Sequence, residues 1–273
     1  MKSSGEELYL DLLKKCLTRQ IFPEEFRRIE TTRQSHKLLN RLAQRLFSPL
    51  GLALVRRASY DPVKRDEGMD THPQAETMSG IQSLDHLERC VTEIIRQGVP
   101  GDLIETGTWR GGACILMRAI CRVYQQTDRT IWVADSFQGH PPANPALYPA
   151  DARPGLWRPF YQVSLDEVQE NFARYGLLDD QVKFLAGWFK DTLPAAPIER
   201  LALMRLHGDL YESTMDSLVN LYPKLSVGGY VIVGDYILLA SKTAVTDFRN
   251  SRNITAPLLK TGGVLEVTWQ KTE

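Results

Sequence analysis

The feature that most constrains this chain is an alternation of short apolar runs with helix-length amphipathic stretches. The runs are Leu103–Thr106, Thr130–Ala134, Val182–Leu185, Leu201–Leu206 and Tyr230–Val233, and helical patterns at 112–125, 164–176 and 213–225 fall between them. A further helix is predicted over about 80–97, starting near Ser79 or Ser83 and ending before Gly98-Val-Pro100. Parallel neighbours in a sheet need crossover connections, usually helical, so the pattern predicts an α/β fold with a doubly wound, mostly parallel sheet. A last helix at 238–249 and a strand at 264–270 would close the sheet, the strand in an antiparallel sense.

Residues 1–75 read differently from 76–273, and the division predicts a helical N-terminal extension on a ligand-binding domain. Leu8, Leu10, Leu12, Leu13 and Leu17 predict one amphipathic helix; a second is predicted from His36 to Leu54. No strand is expected before residue 100, and the polar segment 61–73, with proline near both ends, reads as conditionally ordered. At 273 residues the chain falls within the roughly 250–300 that one core can serve. Lys+Arg and Asp+Glu stand at 33 each, which removes the electrostatic ground for a nucleic-acid partner. Cys16, Cys90, Cys114 and Cys121 form no C-x-x-C pair and sit among apolar residues, as expected of buried thiols in a reducing cytoplasm. The N-terminus lacks the order of a signal peptide, and no apolar run approaches the ~20 residues of a membrane span. The expected partner is a small molecule.

Five strand ends carry the chemistry. Glu105-Thr-Gly-Thr-Trp-Arg-Gly-Gly112 follows the first strand and opens a helix. Its glycines allow a tight turn and close approach of a ligand. Their positions match neither a dinucleotide fingerprint nor a phosphate loop. An acidic first residue suits a ligand with a cationic amine, and Glu105, Gly107, Arg110 and Gly111 are the candidate ligand-binding positions of this loop, which taken alone reads equally as a structural turn. Asp135, with Ser136, ends the second strand, where a carboxylate accepts the ribose hydroxyls of an adenosine-containing ligand or caps the following helix. Trp188, after the third, can cover an adenine or pack as core. His207 and Asp209 follow the fourth strand and Asp235 the fifth, a set able to move a proton.

With these motifs in place, the stretch from about Glu76 to Phe248 resembles the macrocin O-methyltransferases, which methylate sugar hydroxyls and other small acceptors in natural-product pathways. The resemblance lies in Glu76-Thr-Met-Ser-Gly-Ile, Asp102-Leu-Ile-Glu-Thr-Gly-Thr-Trp-Arg-Gly-Gly-Ala, Trp132-Val-Ala-Asp-Ser-Phe, Tyr175-Gly-Leu-Leu-Asp-Asp and Asp209-Leu-Tyr-Glu-Ser-Thr-Met-Asp. It implies a class I methyltransferase (Rossmann-like) fold, with S-adenosylmethionine (SAM) held by Thr77, Met78, Glu105, Gly107, Asp135, Ser136 and Trp188. It also implies an N-terminal region that covers the acceptor and contributes to a homodimer.

The resemblance breaks where the family holds a divalent metal. Members read Leu-Asp-Gly-Asp after strand four and Val-Asp-Asp-Tyr after strand five. The first Asp of the former and both of the latter bind the metal, and the first also serves as base. Here His207 and Gly234 replace two of the three, and only Asp235 remains. Mg²⁺ wants hard oxygen ligands, so the expectation is an enzyme that needs no divalent metal. Compensation by Asp209, or a softer metal on His207, are the alternatives. Two mechanisms fit the altered site. His207 takes a hydroxyl proton with Asp235 or Asp209 orienting it, or the acceptor is a carboxylate held by cations such as Arg110, Arg153, Arg158 and Lys242. A SAM-binding scaffold without catalysis is a third reading. The Pro- and aromatic-rich stretch from Gln138 to 162 reads either as a lid, bringing His140, Tyr148, Trp157, Phe160 and Tyr161 toward the acceptor, or as a surface excursion.

Overall fold

A computed structural model describes residues 4–22, 24, 26–28, 45–52, 55–57, 60–152, 159–261 and 266–273. Nine strands and eight α-helices are described. In chain order they are α1 Gly5–Leu17, β1 Phe26–Arg28, β2 Val55–Arg57, α2 Pro62–Asp66, α3 Ile81–Gln97, β3 Asp102–Thr106, α4 Gly112–Val123, β4 Ile131–Asp135, α5 Leu165–Arg174, β5 Val182–Ala186, α6 Phe189–Thr192, β6 Leu201–Leu206, α7 Tyr211–Leu221, β7 Leu225–Val233, α8 Leu239–Ser251, β8 Leu259–Thr261 and β9 Glu266–Gln270.

Seven strands form one sheet in the order β5-β4-β3-β6-β7-β9-β8. The pairs among β3 to β7 are parallel, and β9 runs antiparallel between β7 and β8. All five apolar runs of the sequence are therefore strands, and the predicted antiparallel closing strand is β9. The strand order reverses beside β3, which puts a crevice at the carboxyl edge of the sheet, the place where open α/β sheets bind ligands.

Side-chain alternation divides the core into two layers. Leu103, Val133, Leu203 and Ile232 face one way, against Leu84, Leu87 and Ile94 of α3 and Ile115 and Leu116 of α4. Ile104, Ala134, Met204 and Val231 face the other, against Leu218 and Leu221 of α7 and Phe248 of α8. Both faces are covered, so these strands read as nearly continuous apolar runs. The N-terminal helix joins the first layer through Leu10, Leu13 and Leu17, while Leu8 and Leu12 of the expected stripe are exposed. Ser4 caps α1, its Oγ accepting from the Glu7 amide at 3.2 Å while the Ser4 amide donates to Glu7 at 3.0 Å.

Three expectations need revision. Two strands precede residue 100: β1 and β2 pair antiparallel, with Phe26 opposite Arg57. Their short, arginine-rich sequences carry no alternation to detect. The segment 61–73 contains α2, whose first turn is capped by the Asp61 carboxylate, and it buries Arg65 and His72. Strand β7 begins at Leu225, five residues before the Tyr230 at which its apolar run starts, because Ser-Val-Gly-Gly reads as a break. Most of the helix expected over His36–Leu54 lies outside the described residues.

Candidate active site

A cavity of about 610 Å³ opens along the carboxyl edge of the sheet. Met78, Gly107, Asp135, Ser136, Trp188, His207, Asp209 and Asp235 line it. Four other sequence candidates stand outside that lining. The Thr77 hydroxyl accepts from the Ser79 amide at 3.0 Å in the turn leading to α3. Glu105 is buried against Arg205 and accepts from the Cys114 thiol at 3.2 Å. Arg110 donates to the Pro73 and Ala75 carbonyls and lies 4.5 Å over the Trp109 ring. Gly111 is the N-cap of α4 and faces Val168 and Phe172.

The loop after β3 is shaped by contacts across the edge. Gly107 has φ +84°, and a Cβ there would sit 1.9 Å from the His207 carbonyl oxygen, so only glycine lets the loop cross the end of β6. Asp135 holds the loop from the other side. One of its oxygens accepts from the Thr108 and Trp109 amides at 2.7 and 3.2 Å, the other from the Phe137 amide at 2.9 Å. Burial raises the Asp135 pKa, although these amides pull against it.

A cluster of buried ionisable side chains is built around Arg205. Glu105 and Arg205 are register partners on β3 and β6, with side chains on the face toward α3, and they form a buried ion pair. Arg205 also donates to the Ser79 hydroxyl at 2.7 Å, and Glu266, the first residue of β9, lies 3.8 Å away. One Glu266 oxygen accepts from Ser83 at 2.5 Å; the other is buried with no hydrogen-bond partner among the described residues, and burial pushes the Glu266 pKa up to about 7. His207 follows β6, with Nε2 3.0 Å from Asp235 and Nδ1 3.3 Å from an Arg205 nitrogen. Burial disfavours its charged form, but Asp235 outweighs burial and raises its pKa. The second Asp235 oxygen accepts from the Asp209 amide at 3.1 Å, and Asp209 in turn pairs with His140 at 2.8 Å.

Against a divalent metal this arrangement fits poorly. Both oxygens of Asp235 are engaged, position 207 is an imidazole facing a guanidinium, and a Cβ on Gly234 would stand 3.0 Å from the His207 ring and 3.4 Å from Arg205. Among the described residues no group of three or more His, Cys, Asp or Glu side chains is placed to hold a metal ion.

The cations proposed for a carboxylate acceptor lie elsewhere. Arg110 and Lys242 do not line the cavity, and Arg153 and Arg158 fall outside the described residues. Lys190 and Arg205 are the lysine and arginine side chains of the described lining, whereas Glu67, Glu212, Asp216 and Glu266 add acids to it. Burial raises Asp216 to about 6. Of the aromatics on 138–162, Tyr161 lines the cavity; Tyr148 stacks on Tyr211, Phe160 packs on Trp109, and Trp157 is outside the described residues. The excursion is tied down by Asp151, whose carboxylate accepts from the Tyr211 and Glu212 amides at the start of α7. Arg205 and Glu266 were not singled out from sequence. An arginine inside the apolar run Leu201–Leu206 is a signal that could have found the former, because a buried charge demands a partner. Glu266 offers no such local signal.

The macrocin-O-methyltransferase (TylF) family matches residues 6–271. Demethyldecarbamoylnovobiocin O-methyltransferase of Streptomyces niveus is 46% identical over 99% of this chain and 95% of its own. Mycinamicin III 3''-O-methyltransferase of Micromonospora griseorubida is 43% identical over 94% of each chain. The solved structure of the O-methyltransferase NovP superposes with a TM-score of 0.85 at 44% identity, covering 98% of this chain and all (100%) of that one. Calicheamicin methyltransferase CalS11, 18% identical with a TM-score of 0.58 over 99% of this chain and 94% of its own, shares the fold. With the class I sheet, the glycine loop against β6 and a family match spanning nearly the whole sequence, the chain is a member of the macrocin O-methyltransferase family, a SAM-dependent O-methyltransferase.

Proposed function

We propose that this enzyme methylates a hydroxyl group of a small natural product or metabolite, and that it does so without a divalent metal. The observation that carries the reading is the state of Asp235: its two oxygens are occupied by His207 and by the Asp209 amide, and an imidazole and a glycine stand where the family has its other metal carboxylates. The acid-rich lining supports a hydroxyl over a carboxylate acceptor, which would meet few cations there. The relatives' names, one of which specifies a 3''-O-position, favour the same class.

In this reading Met78, Gly107, Asp135, Ser136 and Trp188, which line the cavity, would hold SAM, and SAM would supply the methyl group. The acceptor oxygen sits over His207, Asp209 and Asp235, in line with the methyl–sulfur bond. We also take the enzyme to be cytoplasmic and a homodimer. The exposed apolar side chains of Leu8, Tyr9, Leu12 and Phe22 near the N-terminus favour the latter. Among the described residues no helix is long and apolar enough to cross a membrane.

The test is incubation with methyl-labelled SAM and a panel of phenols, glycosides (demethyldecarbamoylnovobiocin and mycinamicin III among them) and dicarboxylic acids, with and without EDTA. Transfer to a hydroxyl, unchanged by EDTA, is expected. Loss of transfer on chelation would sink metal independence, and transfer to dicarboxylates alone would sink the hydroxyl assignment.

A further inference from the structure

Two imidazoles border the acceptor end of the cavity, and their surroundings differ in a way that decides which can take a proton. His207 has neither ring nitrogen free. Arginine can only donate, so the nitrogen 3.3 Å from Arg205, Nδ1, must be an acceptor. The proton therefore sits on Nε2 and is donated to Asp235 at 3.0 Å. Asp235 favours a charged ring, but a second proton would have to sit on Nδ1, against the Arg205 guanidinium, where no acceptor receives it. His140 is arranged the other way. Its Nε2 lies 2.8 Å from a carboxylate oxygen of Asp209, which can only accept when ionised, so Nε2 carries the proton. Its Nδ1 is then a bare lone pair, and this atom is buried with no hydrogen-bond partner among the described residues. Buried nitrogens seldom go unpaired in a protein interior, and one on a residue lining a substrate cavity is what an incoming hydroxyl would satisfy.

We propose that His140, oriented by Asp209, is the proton acceptor for methyl transfer, and that His207 with Asp235 and Arg205 is a positioning group. The inference rests on the hydroxyl-transfer reading above. The Asp209–His140 pair has the logic of a carboxylate–imidazole dyad, with the carboxylate fixing the tautomer and compensating the imidazolium that forms. Asp209 is held for this task. It adopts φ +61°, unfavourable for a residue with a side chain, and its amide donates to Asp235 at 3.1 Å, so the two imidazole–carboxylate pairs are tied through one backbone unit. The Tyr161 ring packs edge-on against His140, with centroids 4.8 Å apart, and fixes the plane of the imidazole.

The step balances. The acceptor O–H proton moves to Nδ1 of His140, the oxygen lone pair forms the O–CH₃ bond, and the CH₃–S bond breaks with its electrons going to sulfur. The products are the methyl ether, neutral S-adenosylhomocysteine and an imidazolium paired with Asp209, which later releases its proton to water. Burial disfavours that imidazolium, but Asp209 in contact, and Asp235 and Asp135 further off, raise the ring above its ordinary 6.5. Because Nδ1 must be bare to act, kcat rises with pH, with its acidic limb displaced above that ordinary value.

The experiment uses the full chain with a hydroxyl acceptor turned over in the labelled-SAM panel. His140→Gln is expected to lower kcat by about 100-fold or more, with SAM affinity by calorimetry unchanged, and to abolish the acidic limb of the pH–kcat profile. His207→Gln should lose less and keep the limb. His140→Gln within about threefold of the parent kcat, or retaining the limb, would overturn the assignment. Should His140→Gln also weaken SAM binding, ¹⁵N spectra of the wild-type histidine rings with S-adenosylhomocysteine decide: a proton on Nε2 alone at pH 8 supports the proposal, and one on Nδ1 alone refutes it. If SAM binds but the wild type methylates no hydroxyl, the hydroxyl-transfer reading falls and takes this proposal with it. A silent His140→Gln beside an active parent removes this proposal alone.

Discussion

Arg205 is a fully buried cation whose charge is met by Glu105 in contact and Glu266 farther off. Removing the charge of the nearer partner leaves a guanidinium in the core, so Glu105→Gln should destabilise the fold by about 3 kcal/mol in denaturant titration. Glu266 acts in the opposite sense. Its pKa is raised from 4.5 to about 7, so between those values the folded state binds more protons than the unfolded state, and stability falls as pH rises through this window. Glu266→Gln should therefore raise the melting temperature at pH 8, by the equivalent of up to about 3 kcal/mol, and leave it little changed at pH 4.5. A variant that melts no higher than the parent at pH 8 would show that the Glu266 carboxylate carries no such penalty. Neither Arg205 nor Glu266 was legible as part of the site. The strand run that contains Arg205 was, but Glu105 stands a hundred positions away in sequence, and only register brings the two together.

At the scale of elements, the loop between β3 and α4 is held by β4 through Asp135 and by β6 through the His207 backbone. Gly107→Ala must push that backbone aside, so it should lower stability by a few kcal/mol and weaken SAM binding in calorimetry by tenfold or more. A variant with parental affinity would mean that the loop crosses β6 less tightly than described. The strands β3 to β7 and the helices beside them were readable because each buries an apolar face and shows it as a periodic signal. The missed strands, β1, β2 and β8, have three residues each and are charged or largely exposed, so no periodicity marks them. The polar residues at strand ends were readable by position. Their hydrogen bonds were not: Asp135 is engaged by backbone amides, and His140, named only as part of a possible lid, reaches across to a loop 69 residues on.

For the whole molecule, the sheet and its two layers follow from the alternation of elements, whereas the chemistry follows from substitutions at a single edge. The N-terminal helix packs in the same core layer as α3 and α4, with Lys14 paired to Asp85 and Glu88 of α3. Ser4→Ala, which removes the cap, is expected to lower stability by about 1 kcal/mol in a thermal melt, and no change would mean that α1 frays freely. The closeness of Gly234 to His207 couples the two positions. An aspartate at 234 alone would need the imidazole to give way, since its Cβ would stand 3.0 Å from the ring, and an aspartate at 207 alone would still lack its neighbour, so neither single substitution makes a three-carboxylate cage. His207→Asp and Gly234→Asp should separately fail to bind Mn²⁺ by calorimetry, and binding by either would disprove the point. A three-carboxylate cage at this edge would take both changes together, because the imidazole occupies the space into which a side chain at 234 would grow.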